Sequence, residues 1–292
     1  MTERRVLLVT LLCLAFAAVS FLLPGCAAKK SAPGETALTL EYRLPKGAPV
    51  TYRNTQNSTQ TMEMMGQSMN VSTDKAIVFT LIPGDFKGNE QQLTVTLDSM
   101  EADIETPQGP FTADVAPVVG KSFEMYLSTL GKELNITGAE AIKYSIGAAG
   151  ERSIQPDFQG VFPDLGSAPV KLGDTWTVRD TTNIGEGGVA LTITTETVNT
   201  LEGLETVDGV DYARIMGTVT GQAKGAGEQQ GTQVAVDSKM NGTETWLFAY
   251  KLGRLDKFNS DMSMDGTVIL GGPQGMSMPM KQQIKTETVF VK

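Results

Sequence analysis

The chain has 292 residues, with 33 acidic side chains against 24 basic ones and a formal net charge of −9. A surface of that sign repels phosphate backbones and excludes nucleic acid as a partner. The sequence holds no histidine and two cysteines, which removes Ser-His-Asp and Cys-His nucleophiles, histidine-based zinc sites and the titrating imidazole of neutral pH.

The first element is a signal. Arg4 and Arg5 precede an apolar run from Val6 to Leu23, and Leu23-Pro24-Gly25-Cys26 closes it. The pattern is that of a bacterial lipobox, in which Cys26 takes a diacylglyceryl group and becomes the lipid-bearing N-terminus after cleavage. Pro24-Gly25 breaks a helix and presents an extended segment to a peptidase, which argues against an uncleaved span. Residues 1–25 then form the signal peptide and 26–37 a lipidated tether, polar from Lys29 to Gly34. Two or three acyl chains hold a protein durably, at about 0.8 kcal/mol per buried methylene, so a membrane is the expected partner. Ala27 and Ala28 stand where an inner-membrane retention signal would often carry Asp. The expected location is therefore the bacterial cell envelope, on the outer membrane facing the periplasm where the host is diderm. Cys13 and Cys26 both lie in this region, so no disulfide is expected in the body.

From Leu38 onward, period-two runs rich in Thr, Val and aromatics predict half-buried antiparallel strands. The long ones are Thr51 to Met65, Met69 to Leu81, Glu90 to Glu105 and Thr232 to Phe248, with turns at Gly66-Gln67, Pro83-Gly84-Asp85 and Gly88-Asn89. Long meandering strands curl into a curved sheet, half-barrel or sandwich. Between Gly138 and Gly166 the composition turns helical, with Ala139, Ile142 and Ile146 spaced on one helix face. Gly217 to Gln233, rich in Gly and Gln, reads as a flexible hairpin tip. Ser72-Thr73-Asp74-Lys75 matches the S-x-x-K spacing of serine-lysine enzymes, but on a strand those two side chains point to opposite faces.

Pro45 to Thr55 aligns without a gap on Lys171 to Thr181, and Tyr126 to Leu134 resembles Trp246 to Leu255. The order of landmarks is the same, which predicts a mainly β chain of two related antiparallel β-halves, 38–137 and 170–292, joined by a connector over 138–169 with a short helix.

Several landmarks together carry a resemblance: Lys46-Gly47 with Val50 and Tyr52; the Met62-Glu63-Met64 run before a Gly turn; Val119-Gly120-Lys121-Ser122-Phe123 before Leu130-Gly131-Lys132-Glu133; Phe162-Pro163 ahead of Val170-Lys171-Leu172-Gly173-Asp174-Thr175-Trp176; and Gly253-Arg254-Leu255 before a Met-rich end. The mature chain resembles a family of bacterial secreted proteins and lipoproteins known only as a domain of unknown function. The resemblance implies β-rich architecture and an envelope location, and brings no catalytic residue.

No motif for a cofactor, a metal or a catalytic residue stands in the sequence, so the expectation is a protein that is not an enzyme. What remains is methionine. Met62 and Met64 fall on the first hairpin, and Met262, Met264, Met276, Met278 and Met280 on the last, where M-x-M spacing puts side chains on one strand face. Three readings compete. Methionine fills irregular core gaps. It lines a groove for a lipophilic ligand, as adaptable thioether surfaces suit variable shapes. Or it binds Cu(I) through soft sulfur. The leading expectation is the lipophilic groove, with a structural or protein-interaction module of the envelope as the alternative. Trp176 and Trp246 read as core anchors.

Overall fold

The computed structural model describes residues 37–291 apart from 65, 148–149, 187, 230 and 272–274. The period-two reading holds in detail. In β1 (Val50–Met64) the even-numbered side chains Tyr52, Gln60 and Met62 are buried, while Arg53, Thr59 and Glu63 face solvent. A first meander continues through β2 (Gln67–Lys87), β3 (Glu90–Thr106), the short β4 (Gly109–Thr112), β5 (Ser122–Ser128) and β6 (Glu133–Thr137). After the connector, which carries the small hairpin β7 (Lys143–Ser145) and β8 (Glu151–Ser153), a second meander follows. Its strands are β9 (Thr175–Glu186), β10 (Val189–Val207), β11 (Val210–Gln229), β12 (Thr232–Ala249), β13 (Arg254–Leu270) and β14 (Met276–Phe290).

The two meanders form one antiparallel sheet in the order β6-β5-β3-β2-β1-β14-β13-β12-β11-β10-β9, with β4 on the far half of β3. The seam is the pairing of β1 with β14, from Tyr52–Phe290 to Met62–Met280. Read along the sheet, the chain is one long meander cyclically shifted: its first and last strands meet in the middle, and the connector joins the two outer edges. The sheet is not closed, yet it curls. Lys132, at the β5–β6 turn on one edge, forms a 2.5 Å ion pair with Asp180 on the opposite edge strand.

The concave face is the core, and the connector packs into it. Phe158 meets Phe79 and Phe123 edge-on at centroid distances of 5.0 and 4.8 Å. Tyr52 stacks near Phe79, meets Phe162 edge-on, and donates its hydroxyl to Leu255 O at 2.8 Å across the seam. Leu40, Tyr42 and Leu44 of the leading segment complete this aromatic layer. That segment is held by Tyr42 N–H to Thr129 O and Arg43 N–H to Gly253 O. A Cβ on Gly253 would come within 2.7 Å of Arg43 N, so the close approach requires glycine.

The internal repeat has a structural counterpart. Gly47 (φ 71°) and Gly173 (φ 86°) make the same left-handed turn ahead of β1 and β9. Ala48 N–H bonds Pro45 O and Asp174 N–H bonds Lys171 O, the same pair in each half. Each glycine N–H then reaches the second strand of the hairpin that follows, at Pro83 O on β2 and Leu201 O on β10. Both acceptors sit where that strand slips register.

Three local expectations differ. Pro83-Gly84-Asp85 is no turn: β2 runs through it as a bulge, Gly84 and Asp85 opposing Gln92 alone, because a bulge absorbs extra residues and adds twist. The helix over Ala139–Ile146 reduces to a 3-10 turn at Ala139–Ala141 followed by β7, with a second such turn at Gln155–Phe158. The inward set is Ile142, Tyr144 and Ile146, an alternation that also buries an aromatic, and the connector is too short of apolar face to stabilise an isolated helix. Of Gly217 to Gln233 only the neighbourhood of Gly231 is a hairpin turn: Gly217–Gln229 is the second half of β11, paired with β12 throughout and with β10 as far as Gly227. Its inward glycines let β10 approach: a Cβ on Gly225 would meet Ala190 O at 2.5 Å, and glycine at such points lets a sheet curl.

Candidate functional site

Inside the curl lies a partly open cavity of about 310 Å³, lined jointly by β1, β2 and β3, by β14, by β9 and β10, and by the connector. Strands far apart in sheet order share one interior space, so the sheet wraps around it. Its two sides differ chemically. On the β9–β10 side the wall is Ile184, Val189, Leu191 and Ile193, the alternation of two strands buried on one face. On the β2-β1-β14 side it is Lys75, Thr73, Gln56, Ser58 and Gln282, with Ile284 among them. Cross-strand register builds this patch: Lys75 lies opposite Gln56, Thr73 opposite Ser58, and Ser58 opposite Ile284. Lys75 points inward and makes an ion pair with Asp157 of the connector, both side chains largely buried at 13 and 14% exposure. Ser72 lies opposite Thr59 on the outward face, so the S-x-x-K pair is split between faces.

Buried polar atoms without a partner cluster around this interior. Gln282 is 7% exposed, and its Oε1 has none; the second carboxylate oxygen of Asp157 and Oε1 of Gln60 are the same. Further along the face, Glu244 and Asn199 flank Gly217, where a Cβ would strike Asn199 Oδ1 at 2.8 Å. Burial pushes the Glu244 carboxyl up to about 7.

The methionines come together, in the core beside the cavity. Met62 lies opposite both Met280 and Met69, and Met240 opposite Met264. Met62, Met264, Met278 and Met280 are fully buried, and Met64 and Met276 are half-buried against the same cluster. Met262 shares their parity and seats its sulfur over Gly242. A regular device emerges: Gly221 faces Met240, Gly242 faces Met262, and Gly266 faces Met280. At Gly221 and Gly242 the missing Cβ leaves room that the facing thioether fills, whereas at Gly266 it admits Ser238. None of the seven candidate methionines is among the residues lining the cavity; they stand next to it. Met280 Sδ also accepts a hydrogen bond from Gln60 Nε2. Among the described residues no group of three or more His, Cys, Asp or Glu side chains could hold a metal ion. Cys26 lies outside the described residues.

Two other carboxyls are raised, Glu133 to about 8 and Asp164 to about 6, both chiefly by burial. They anchor the connector and do not line the cavity. Glu133 accepts Gly160 N–H and Phe162 N–H, and Asp164 faces Lys132. Trp246 is 1% exposed, and Trp176 meets it edge-on while donating Nε1–H to Asp164 O.

What strand parity alone does not reveal is the inward polar set. Its one sequence signal is Asn54, Gln56, Ser58 and Gln60 occupying the parity that carries Tyr52 and Met62 on either side.

The fold thus defines an open, curled antiparallel sheet around an amphipathic cavity. No family model and no curated protein sequence matches the chain. Solved structures similar to it include an outer membrane channel from Pseudomonas putida F1, at 11% identity and TM-score 0.25, covering 88% of this chain and 100% of that one. OccK5 (OpdH) of Pseudomonas aeruginosa is 8% identical, at TM-score 0.29 over 85% and 99%. An exported protein with a YmcC-like fold from Bacteroides fragilis is 9% identical, at TM-score 0.24 over 87% and 98%. No activity is carried from any of them. On two strands the outward face is polar: β9 exposes Thr175, Thr177, Arg179 and Thr181, and β14 exposes Ser277, Lys281, Gln283 and Lys285, while β10 and β11 expose Val198, Leu204, Val207 and Met216.

Proposed function

We propose that this is a lipid-anchored bacterial envelope protein, not an enzyme, that holds a lipophilic ligand inside its curled sheet, the anchor being Cys26. The observation that carries the reading is the cavity, whose volume falls in the usual small-molecule range and whose β9–β10 wall is aliphatic. The wall, and not the methionine face, is the ligand-contacting surface in this reading; the methionines supply an adaptable core behind it. With the anchor on the outer membrane of a diderm host, the cavity sits in the periplasm.

The chain from Ala27 on contains every strand and every core residue described above, and serves for binding. A fluorescent fatty acid should bind it saturably, and Leu191→Trp, which fills the wall, should weaken binding at least ten-fold. Saturable binding that Leu191→Trp leaves intact, or no binding by a folded wild type, refutes the ligand reading and leaves an interaction module. The anchor is tested separately: metabolic labelling with an alkyne fatty acid should mark the wild type and leave Cys26→Ser unlabelled. Label retained by Cys26→Ser refutes it.

A further inference from the structure

We infer that the rim of the curled sheet at which Leu38 enters lies on the lipid bilayer that carries the anchor; the inference rests on the reading of Cys26 as a lipid anchor. Strand order fixes this rim. It carries the β2–β3, β5–β6, β10–β11 and β12–β13 turns and the end of β14, while the β1–β2, β9–β10, β11–β12 and β13–β14 turns form the opposite one. Leu38 bonds Val170 just ahead of β9, and the leading segment then crosses the same rim, bonding Thr129 O, Gly253 O and Pro83 O. Twelve residues separate Cys26 from Leu38 and reach at most about 40 Å, so this rim is the part of the body that the anchor draws to the membrane.

Exposed apolar side chains gather there. Among the described residues ten large ones are exposed. Six of them stand within four residues of a turn or strand end on this rim: Phe86, Leu172, Leu204, Val207, Leu252 and Val291, each 37–50% exposed. None of the ten stands so at the opposite rim. The six come from separate places around the curl and not from one flank. A flat partner touches such a ring at once, whereas a globular one covers a single side. Half-exposed side chains of this kind gain by entering the interfacial layer of a bilayer. Lys46 with Asp85 and Lys251 with Asp211 form ion pairs on the same rim, so the contact is apolar and needs no anionic lipid. Docked this way, the molecule sets its aromatic layer between bilayer and cavity, because Tyr52 and Phe79 lie nearer this rim than Gln56, Ser58, Thr73 and Lys75 on the same two strands.

The test uses the acylated protein in phosphatidylcholine vesicles. The chain has no cysteine besides Cys13 and Cys26, so an introduced one is the free thiol once Cys26 is lipidated and the signal is removed. A bimane label at Asn89→Cys, in the β2–β3 turn, should be quenched by nitroxide-bearing lipid at least about two-fold more than one at Gln67→Cys, beside the β1–β2 turn, as seating about 5–10 Å into the headgroup boundary requires. The difference should persist in about 1 M salt, where the Debye length is about 3 Å, and should shrink in Leu204→Gln/Val207→Gln/Leu252→Gln, which changes exposed positions alone. Equal quenching at the two positions, loss of the difference in salt, or a difference that the triple variant leaves unchanged overturns the docked rim while the anchor stands. So does a dimer of the chain from Ala27 on that the triple variant abolishes, which makes the rim a protein interface. A wild type that carries no acyl chain and does not float with the vesicles overturns both.

Discussion

At the scale of single residues, the cavity is held by polar groups placed where a β-core normally has none. Lys75 and Asp157 form a largely buried ion pair that ties connector to sheet in the cavity wall. Removing one member strands the other charge in a poor environment, so Lys75→Met should cost about 3–5 kcal/mol. The paired replacement Lys75→Met/Asp157→Leu should be close to neutral, and urea unfolding of both variants separates the cases. Glu244 gives a pH dependence of known sign. Its carboxyl titrates near 7 in the folded protein against 4.5 when free, so the folded state binds more protons across that interval and stability falls as pH rises through it. Glu244→Gln should flatten the decline and be more stable than wild type at pH 8 by about 1–3 kcal/mol; an unchanged slope between pH 5 and 7 would refute this. None of these residues stood out in the sequence. Single polar residues on a strand are common, and only knowledge of which parity faces inward turns Lys75, Gln282 or Glu244 into a signal.

Strands and turns were far more legible. Alternation over fifteen or more residues located β1, β3 and β12 almost to the residue, because a half-buried strand has to alternate. The failures share a cause. Glycine and proline suggest breaks at Pro83-Gly84-Asp85 and over Gly217 to Gln233, whereas through Pro83–Asp85 and Gly217–Gln229 they bend strands that continue. Local propensity cannot tell a turn from a bulge when the partner strand lies elsewhere in the chain. The glycine-facing-methionine pairs make the point quantitative. A Cβ at residue 221 would lie 2.6 Å from Met240 Cγ and 2.8 Å from its Sδ, and the neighbouring carbonyl of Thr194 is closer still. Gly221→Ala should therefore destabilise by about 1–3 kcal/mol through overpacking. Shortening the opposing side chain in Gly221→Ala/Met240→Ala should not restore the loss, since the Thr194 carbonyl remains; recovery to wild-type stability would show that the glycine serves the methionine alone.

At the scale of the whole molecule, the repeat read from the sequence describes two halves that share a sheet. The β1–β14 seam and the aromatic layer across it, where Tyr52 bonds Leu255 O, tie the first half to the second. We expect one unfolding transition. Tryptophan fluorescence, which reports the second half through Trp176 and Trp246, should coincide in urea with hydrogen exchange of β2 and β3 in the first. Separated midpoints would make the halves independent domains. The sequence carried the repeat but not this arrangement, because the pairing of residues near 55 with residues near 287 leaves no local trace.

The cyclic order of the strands also bears on how the chain comes into being. Synthesis proceeds from the amino end, so β1 emerges well over two hundred residues before β14, the strand that covers one of its edges. Throughout that interval the edge is open to other chains, the situation in which nascent β proteins aggregate. The stretch of β1 that waits is Asn54-Thr55-Gln56-Asn57-Ser58-Thr59-Gln60, hydrophilic on both faces. The polar residues that later form one wall of the cavity thus first act as a guard, keeping the waiting strand soluble until its partner arrives.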